Sequence, residues 1–467
     1  ALLLCQIILK SIKMKKMNLL TSTKGIAFAA LLLGLGMASC NDDEDEPKPP
    51  TGQKVTVSGD ITANTTWSAK DTIILEGFVY VTNGVTVTIE PGTLIKGLSD
   101  TKAALIVERG GKIMANGTQD KPIVFTSDKP AGQRKPGDWA GIIICGKAPI
   151  NITGGEAEIE GGTGAVYGGT DPTDNSGSLK YVRIEFAGYE VSSGNEINGL
   201  TLGGVGSGTV IEHVQVSFGR DDSFEWFGGT VNAKYLVSYR GGDDDFDTDN
   251  GFSGNVQYGF ILRGPEEADK SDASNGFESD NDANGSSNTP LTSAKFCNIT
   301  ILGPYATKQQ PNVNPNHKHA LRLRRNTRLN LYNSILAGFA TGPRIEGPSM
   351  AMYNTTGGPE IKNCIMAGMI KNFQVNTDGT TLTQEQYDAM WAAGNNQTFA
   401  ENVDIKLTNA WGWGNVNPMP QSGSPVLTGA SFSGLPSFFE TVPFIGGFGT
   451  TNWTSGWCNW DPQNTRY

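Results

Sequence analysis

Hydrophobic and polar residues alternate in short runs over most of the chain, and these runs recur. Residues 84–93 align with residues 110–118 after one residue is skipped, which places Val87 on Ile113 and Ile89 on Ala115. Successive side chains of a β-strand point to opposite faces, so both segments predict a strand with one buried face. The chain is therefore expected to stack related strands from about residue 70 onward.

A second series of short apolar segments follows, and each segment ends at a glycine. These segments are 182–188, 214–219, 236–241, 260–264, 299–303, 335–338 and 365–368, with glycines 31, 22, 23, 39, 35 and 30 residues apart. The shortest spacing predicts a coil of about 22 residues, and the excess in the longer gaps predicts loops. Asn298, Asn333 and Asn363 each precede the glycine by five residues, which predicts an asparagine ladder at one turn.

Stacked identical residues in short rungs favour a right-handed parallel β-helix, an all-β solenoid, over a sandwich or a propeller. A propeller blade would need four strands in about 40–45 residues, and these rungs are too short. Only residues 383–393 predict a helix. The aromatic tail that ends with Trp453, Trp457 and Trp460 predicts a C-terminal cap over about 375–467, because an open solenoid end must be covered.

The first 39 residues read as a targeting segment. A basic region containing Lys13, Lys15, Lys16 and Lys24 precedes an apolar stretch, and small residues lead into Cys40. This ending resembles a bacterial lipobox, which implies a signal peptide at 1–39, with 1–13 upstream of the true start, and lipidation of Cys40. An acidic and Pro-rich tether at 40–53 follows, and the β-helix domain is predicted to occupy 54–467.

The composition agrees with this organisation and excludes some partners. Sixty of the 467 residues are glycine, which is typical of an all-β chain with many tight turns. Removal of 1–39 deletes five basic and no acidic side chains, which leaves 31 basic against 47 acidic residues and a net charge of −16. That charge argues against nucleic acid and permits a divalent cation, a cationic ligand or a neutral glycan.

Several longer motifs resemble those of a known family. They include Ile89-Glu90-Pro91-Gly92-Thr93, Gly137-Asp138-Trp139-Ala140-Gly141, Ser223-Phe224-Glu225-Trp226 and Asp245-Phe246-Asp247-Thr248. In these motifs the chain is similar to β-helical surface lipoproteins of Bacteroidetes, which look related to a spirochaete outer-membrane lipoprotein. The resemblance implies an outer-membrane protein that is lipid-anchored and faces the cell exterior. It implies no biochemical activity, because that of the family is unsettled.

Alignment of the coils on their terminal glycines predicts two columns of side chains on one outer face. The first column reads Thr201, Glu225, Asp247, Glu278, Arg322 and Arg344, and the second reads Gly203, Phe227, Asp249, Asp280, Arg324 and Glu346. Neighbouring rungs lie about 4.8 Å apart, so like charges in one column repel and call for a cation or a basic partner.

Three interpretations of these columns remain open, and the first is a calcium site. Hard oxygen ligands on two adjacent rungs suit calcium, and 280–285 matches the start of a calcium loop, although Leu291 stands where an EF-hand needs glutamate. The predicted ligands are Asp247, Asp249, Glu278, Asp280, Asp282 and Asn284. In this interpretation the protein binds a glycan or another extracellular ligand and is expected to serve an outer-membrane transporter.

The second interpretation is a calcium-dependent uronate lyase, and the third is a structural seam between charges of opposite sign. Several β-helical lyases place calcium carboxylates beside a basic side chain that removes a proton, and Arg322 with His319 resembles that arrangement. Arg322, Arg344, Trp226 and Tyr239 are predicted to contact the ligand. Whether the chain is an enzyme stays open at this point, with a binding protein favoured over a lyase.

Overall fold

The computed structural model describes residues 52–192, 195–374 and 383–467. The predicted signal peptide, Cys40 and the tether up to residue 51 lie outside the described residues. No helix among the described residues is long and apolar enough to cross a membrane.

Thirty-one strands and two α-helices follow one another along the described chain. The strands are β1 Lys54–Ile61, β2 Thr65–Trp67, β3 Thr72–Val81, β4 Thr86–Ile89, β5 Leu94–Gly97, β6 Ala104–Val107, β7 Lys112–Asn116, β8 Ile123–Ser127, β9 Gly141–Cys145, β10 Ala157–Glu158, β11 Val166–Tyr167, β12 Gly177–Glu185, β13 Glu190–Ser192, β14 Asn195–Glu196, β15 Leu200–Gly203, β16 Val210–Ser217, β17 Phe224–Phe227, β18 Asn232–Tyr239, β19 Phe246–Asp249, β20 Asn255–Leu262, β21 Phe277–Ser279, β22 Lys295–Leu302, β23 His319–Leu323, β24 Asn330–Tyr332, β25 Ile335–Ala337, β26 Thr341–Ile345, β27 Glu360–Lys362, β28 Ile365–Ala367, β29 Gln397–Phe399, β30 Leu407–Asn409 and β31 Asn417–Pro420. The helices are α1 Gly347–Ala351 and α2 Gln384–Ala393.

The strands pair in parallel from coil to coil and form three faces of a parallel β-helix. The charged sheet contains β6, β9, β15, β17, β19, β21, β23 and β26, with the ends of β1 and β3. The tail sheet runs from β5 and β8 through the second halves of β12, β16, β18, β20 and β22 to β25, β28 and β29. The third sheet contains β2, β4, β7, β24, β27 and the first halves of the long strands.

The predicted fold class is confirmed, and so is the predicted register of the first coils. Val87 pairs with Ile113 and Ile89 with Ala115. In the later coils Phe224, Phe246 and Phe277 stack in the interior with no exposed surface. A single coil cannot bury these apolar side chains alone. Stacking on the neighbouring coils buries them in one continuous core.

The corner between the third sheet and the tail sheet uses left-handed backbone in seven successive coils. Asparagine occupies this position at Asn298, Asn333 and Asn363, with φ of +57°, +48° and +54°. The predicted asparagine ladder is therefore confirmed, since asparagine tolerates this conformation better than most residues. The four coils before it place Tyr181, His213, Tyr235 and Tyr258 there instead, at φ between +48° and +63°.

The C-terminal region differs from the prediction of a cap. The predicted helix is present as α2, and its N-cap Thr383 forms a capping box with Gln386. Tyr387 and Trp391 of α2 join the interior core. The aromatic tail lies along the outer surface of the tail sheet, where Trp457 and Phe448 pack with Phe260 and Ile335 in a second apolar cluster.

The end of the tail lies near much earlier coils. Tyr467 donates a hydrogen bond from its hydroxyl to Oε1 of Glu185 at 2.6 Å, and Arg134 donates to the carbonyl of Thr465 at 3.0 Å. The expectation that Trp453, Trp457 and Trp460 cover the last coil is therefore wrong. These side chains bury apolar surface against the outer side of the tail sheet instead.

Candidate functional site

The predicted first column is formed by strand pairing on the charged sheet. Thr201 pairs with Glu225, Glu225 with Asp247, and Asp247 with Glu278. The column then continues from Glu278 to Arg322 and from Arg322 to Arg344. Six coils thus place their side chains on one line, and the sign of the charge changes between Glu278 and Arg322, as the sequence predicted.

A second set of carboxylates lies at the turn that precedes each of these strands. The backbone amide of Asp244 donates to Oδ1 of Asp222 at 2.8 Å, and that of Asn275 donates to Oδ1 of Asp244. The amides of Leu200, Ser223 and Asp245 each bond to the carbonyl one coil further on. The turn side chains Asn198, Asp222, Asp244 and Asn275 are therefore stacked beside the first column.

These two stacks create the same arrangement of three carboxylates twice. Asp222, Glu225 and Asp247 place ligand atoms within 4.8 Å of one another, and so do Asp244, Asp247 and Glu278. In the next coil, Asp244 occupies the position of Asp222, Asp247 that of Glu225, and Glu278 that of Asp247. Asp247 belongs to both groups because it lies in the middle coil. A third group, Asp221, Asp222 and Asp243, adjoins them.

Together these residues line an open cavity of about 160 Å³, which we call the acidic cleft. Its lining consists of Glu160, Glu196, Asn198, Asp221, Asp222, Glu225, Asp243, Asp244, Asp247, Asp272, Ala273 and Glu278. Among the described residues, no lysine or arginine lines it. Glu225, Glu278 and Asp244 are only 7%, 7% and 5% exposed, so the cleft combines strong negative charge with little access to water.

One wall of the acidic cleft comes from the hairpin of β10 and β11. Ile159 and Tyr167 of this hairpin pack on the outer face of the charged sheet beside Ile143 and Cys145. The packing brings Glu160 over the sheet, where Asn198 donates one amide hydrogen to Glu160 at 2.7 Å and another to Glu225. Asn198 therefore holds two carboxylates close together at the N-terminal end of the cleft.

Burial and mutual repulsion shift the protonation of the cleft carboxylates. Burial, followed by the repulsion of neighbouring carboxylates, raises the pKa of Asp222, Glu225, Asp244 and Asp247 well above the ordinary range. Burial raises the pKa of Glu278 to about 8 even though Arg324 and Arg322 lie beside it. Without a cation these groups hold protons at pH values where ordinary carboxyls have lost them.

The basic end of the column is neutralised by acidic neighbours. Arg322 pairs with Glu278 at 3.0 Å and with Glu346 at 3.2 Å. Arg324 contacts Glu278 and pairs with Asp280 at 2.8 Å, and Arg325 also pairs with Asp280 at 2.8 Å. Both oxygens of Asp280 are thus occupied by guanidinium groups, whereas Glu278 also faces the acidic cleft.

The remaining predicted metal ligands lie apart from the three groups of close carboxylates. Asp249 accepts from the backbone amide of Asn250 at 2.6 Å, and burial raises its pKa to about 7. Asp282 accepts from the backbone amides of Asn284 and Ser286 at 2.9 and 3.1 Å. Burial acts to raise the pKa of Asp282, but the Ser286 and Asn284 hydrogen bonds lower it. The side chain of Asn284 is exposed.

Two of the predicted ligand contacts, Trp226 and Tyr239, are wrong because both side chains are buried. Trp226 has no exposed surface and stacks on Phe252 inside the coils at 5.4 Å. It points inward because it is two residues after the inward Phe224. Tyr239 is also fully buried, and its hydroxyl accepts from the backbone amide of Gly414 in the tail at 3.0 Å. Neither ring faces a ligand.

The two side chains considered for proton removal have unfavourable environments for that role. Burial acts to lower the pKa of Arg322, but Glu278 and Glu346 raise it overall, so its guanidinium stays protonated. His319 is 2% exposed and contacts Thr341. Burial, with Arg344, Arg322 and Lys318 nearby, lowers its pKa to about 3. The imidazole is therefore neutral and only weakly basic.

Sequence reasoning missed the turn carboxylates Asp221, Asp222, Asp243 and Asp244 and the hairpin residue Glu160. A signal for the first four exists, because each pair of aspartates precedes an inward phenylalanine, Phe224 or Phe246, by a similar short interval. No comparable signal exists for Glu160, since its position depends on the fold of a long insertion.

The stacked coils and their three sheets define this molecule as a parallel β-helix protein. The chain belongs to the family of pectate-lyase-like β-helix domains, whose model matches residues 59–421. Among solved structures, the crystal structure of pectate lyase Pel9A is similar, with a TM-score of 0.42 and 12% sequence identity. That match covers 86% of this chain and 97% of the other. Among curated proteins, none matches this chain.

Proposed function

We propose that the acidic cleft binds a divalent cation, with calcium as the best candidate, and that this site serves recognition of a glycan or another extracellular ligand. The observation that carries the proposal is the position of Asp247. Its Oδ1 is buried and has no hydrogen-bond partner among the described residues, and Asp247 is the member shared by two groups of three carboxylates. An oxygen in such a place is stabilised either by a proton or by a cation.

The donor set favours calcium over transition metals and over magnesium. Every candidate ligand atom is a carboxylate or amide oxygen, which is the preference of a hard cation. Calcium accepts six to eight oxygens in a flexible arrangement, whereas magnesium requires a near-ideal octahedron. The closely spaced carboxylates of Asp222, Glu225, Asp244, Asp247 and Glu278 suit the more flexible ion. These residues would hold the cation, which would add positive charge to an otherwise anionic surface.

The test measures calcium binding by calorimetry, with thermal melting in calcium and in chelator as a second readout. We expect saturable binding at pH 7.5 that Asp247→Asn abolishes. Asp60→Asn is the matched control, since it removes the same charge from an exposed strand position. Asp282→Asn tests the predicted loop site separately. Calcium binding that survives Asp247→Asn and disappears in Asp282→Asn would place the cation in that loop and refute the acidic cleft as the site.

The cellular setting is part of the same proposal and rests on the N-terminal sequence alone. We propose that Cys40 is lipidated, that the protein is anchored in the outer membrane facing outward, and that it acts with a glycan-importing transporter. Metabolic labelling with a radioactive fatty acid tests the anchor, with incorporation expected in the wild type and absent in Cys40→Ala. Digestion of intact cells with an added protease then tests exposure on the outside. A periplasmic protein would survive that treatment.

A uronate lyase is the second candidate, and one observation favours it. Ala273 lines both the acidic cleft and an adjoining cavity of about 510 Å³ that contains Lys318, Arg344 and Lys371. A cation site beside basic side chains could hold an acidic polysaccharide. The family name points to the same chemistry by analogy only, since one fold hosts many functions. Binding remains the first candidate because neither Arg322 nor His319 is placed to act as an effective base.

A further inference from the structure

A further cavity lies away from the charged sheet, at the corner between the third sheet and the tail sheet. Four rings stack there from coil to coil, with centroids 4.3 Å apart from Tyr181 to His213, 4.3 Å from His213 to Tyr235, and 4.9 Å from Tyr235 to Tyr258. The C-terminal tail crosses this stack and places Trp453 5.3 Å from Tyr235. It also places Phe444 6.4 Å from Tyr258.

The tail leaves a cavity of about 290 Å³ over one end of the stack. Its walls include Tyr235, Tyr258, Phe444, Trp453, Thr450 and Thr451. The rings of Tyr235, Phe444 and Trp453 are partly exposed, and both threonines are exposed at the rim. The cavity thus offers aromatic walls with hydroxyl groups around its mouth, which is the composition of a small-molecule site.

The walls of this cavity are held in place by the main chain. Trp453 donates from Nε1 to the carbonyl of Gly447 at 2.7 Å, and its ring stacks on Phe448 at 5.0 Å. The carbonyl of Phe444 accepts from the side-chain amide of Asn298 at 2.9 Å. A Cβ on Gly449 would lie 2.4 Å from the Phe444 ring, so glycine is required beside that ring. The aromatic walls are therefore fixed before any ligand arrives, which lowers the entropy cost of binding.

The backbone position of the tyrosines is costly, which makes their presence informative. Tyr235 and Tyr258 have φ of +61° and +63°, a region that disfavours bulky L-residues. The next coils fill the same position with asparagine, beginning at Asn298. Asparagine would also be less strained at these two positions. The tyrosine rings therefore serve packing, ligand binding or both.

We propose that this corner cavity binds the pyranose ring of a neutral glycan. Apolar faces of a sugar ring pack on aromatic walls, while the exposed hydroxyls of Thr450 and Thr451 offer hydrogen bonds to its hydroxyl groups. No charged side chain among the described residues lines this cavity, which favours a neutral ligand over a polyanionic one. This site is separate from the acidic cleft and does not depend on a cation.

The register of the coils supplies a closely matched set of variants. Tyr258→Asn and Tyr235→Asn remove a wall of the cavity while introducing the residue that later coils use at this backbone position. Tyr181→Asn is the control, because it makes the same change in the same stack outside the cavity. Each change removes a stacked ring and relieves backbone strain, so we expect all three variants to fold with lowered melting temperatures. Binding is compared at a temperature at which circular dichroism shows every variant to be folded.

Binding is measured by calorimetry and by tryptophan emission with cellotetraose, xylotetraose, mannotetraose and N-acetylchitotetraose, always in chelator. We expect at least one tetrasaccharide to bind saturably to the wild type and to Tyr181→Asn, with affinity reduced at least tenfold in Tyr258→Asn and Tyr235→Asn. No saturable binding by the wild type to any of the four, or equal affinity in Tyr258→Asn, overturns the proposal. Because chelator is present throughout, this outcome is independent of the calcium test.

Discussion

Asp245 and Arg263 form an ion pair in which neither side chain has any exposed surface, with 2.7 Å between Oδ2 of the aspartate and Nη1 of the arginine. Arg263 also donates to the backbone carbonyl of Asn275 at 2.7 Å and to His317 Nδ1 at 3.1 Å. This one guanidinium therefore ties together the turns that carry Asp244 and Asn275. The ion pair therefore holds in position the turn that carries Asp244, which lines the acidic cleft.

The first prediction concerns this ion pair. Arg263→Met leaves the Asp245 carboxylate buried without a cation, and we expect the free energy of unfolding to fall by about 3–5 kcal/mol. Urea denaturation measures the change. Lys129→Met is the control, because its partner Asp100 is 92% exposed and such a surface pair contributes at most about 1 kcal/mol. Equal losses in the two variants would contradict a structural role for Arg263.

The second prediction concerns pH. Glu278 has an ordinary pKa of 4.5 and a folded value of about 8, and Asp249 rises from 3.8 to about 7. A carboxyl whose pKa is higher in the folded state binds protons more strongly there, so folding is favoured at low pH and weakened as pH rises through the folded value. In chelator, we therefore expect the melting temperature to fall between about pH 4.5 and 8.

Calcium should oppose that fall, because a bound cation replaces the protons that the cleft loses. Calorimetric scans across the same pH range, with and without calcium, measure both effects. Asp247→Asn should flatten the pH dependence in chelator, since its amide carries no charge at any of these pH values. A melting temperature that rises with pH in chelator would show that the cleft carboxylates are not the dominant titrating groups above pH 4.5.

The outer columns could be predicted because a strand fixes side-chain direction by a period of two and a solenoid fixes the register from coil to coil. Those two rules place Glu225, Asp247 and Glu278 in one line without further information. The turn residues Asp222 and Asp244 lie outside the strands, so the period of two does not give the direction of their side chains, although each precedes its inward phenylalanine by two residues. The path of the tail could not be predicted from the sequence either, because Trp457 could bury its ring at the open end of the solenoid or on the tail sheet.

The third prediction concerns the asparagine ladder, which also binds the tail. Asn333 has φ of +48° and exchanges two hydrogen bonds with Ser431, of 3.0 and 2.9 Å. Asn333→Ala loses both bonds and adds roughly 1–2 kcal/mol of backbone strain, whereas Asn333→Gly loses the bonds alone. We expect both variants to be destabilised in urea, with alanine worse by about 1 kcal/mol. Glycine as the more damaging substitution would argue against strain at this corner.

The last prediction separates binding from catalysis. Lyase action requires a base that removes a proton beside a uronate carboxylate, yet Arg322 is held protonated by Glu278 and Glu346, and burial keeps His319 neutral and weakly basic. We therefore expect no unsaturated product from polygalacturonate or alginate, with or without calcium, when ultraviolet absorbance is followed for the new double bond. Product that depends on calcium and disappears in Arg322→Met would overturn this expectation and make the acidic cleft part of an active site. Arg325→Met serves as the control, because Arg325 pairs with Asp280 at the outer edge of the same charge network.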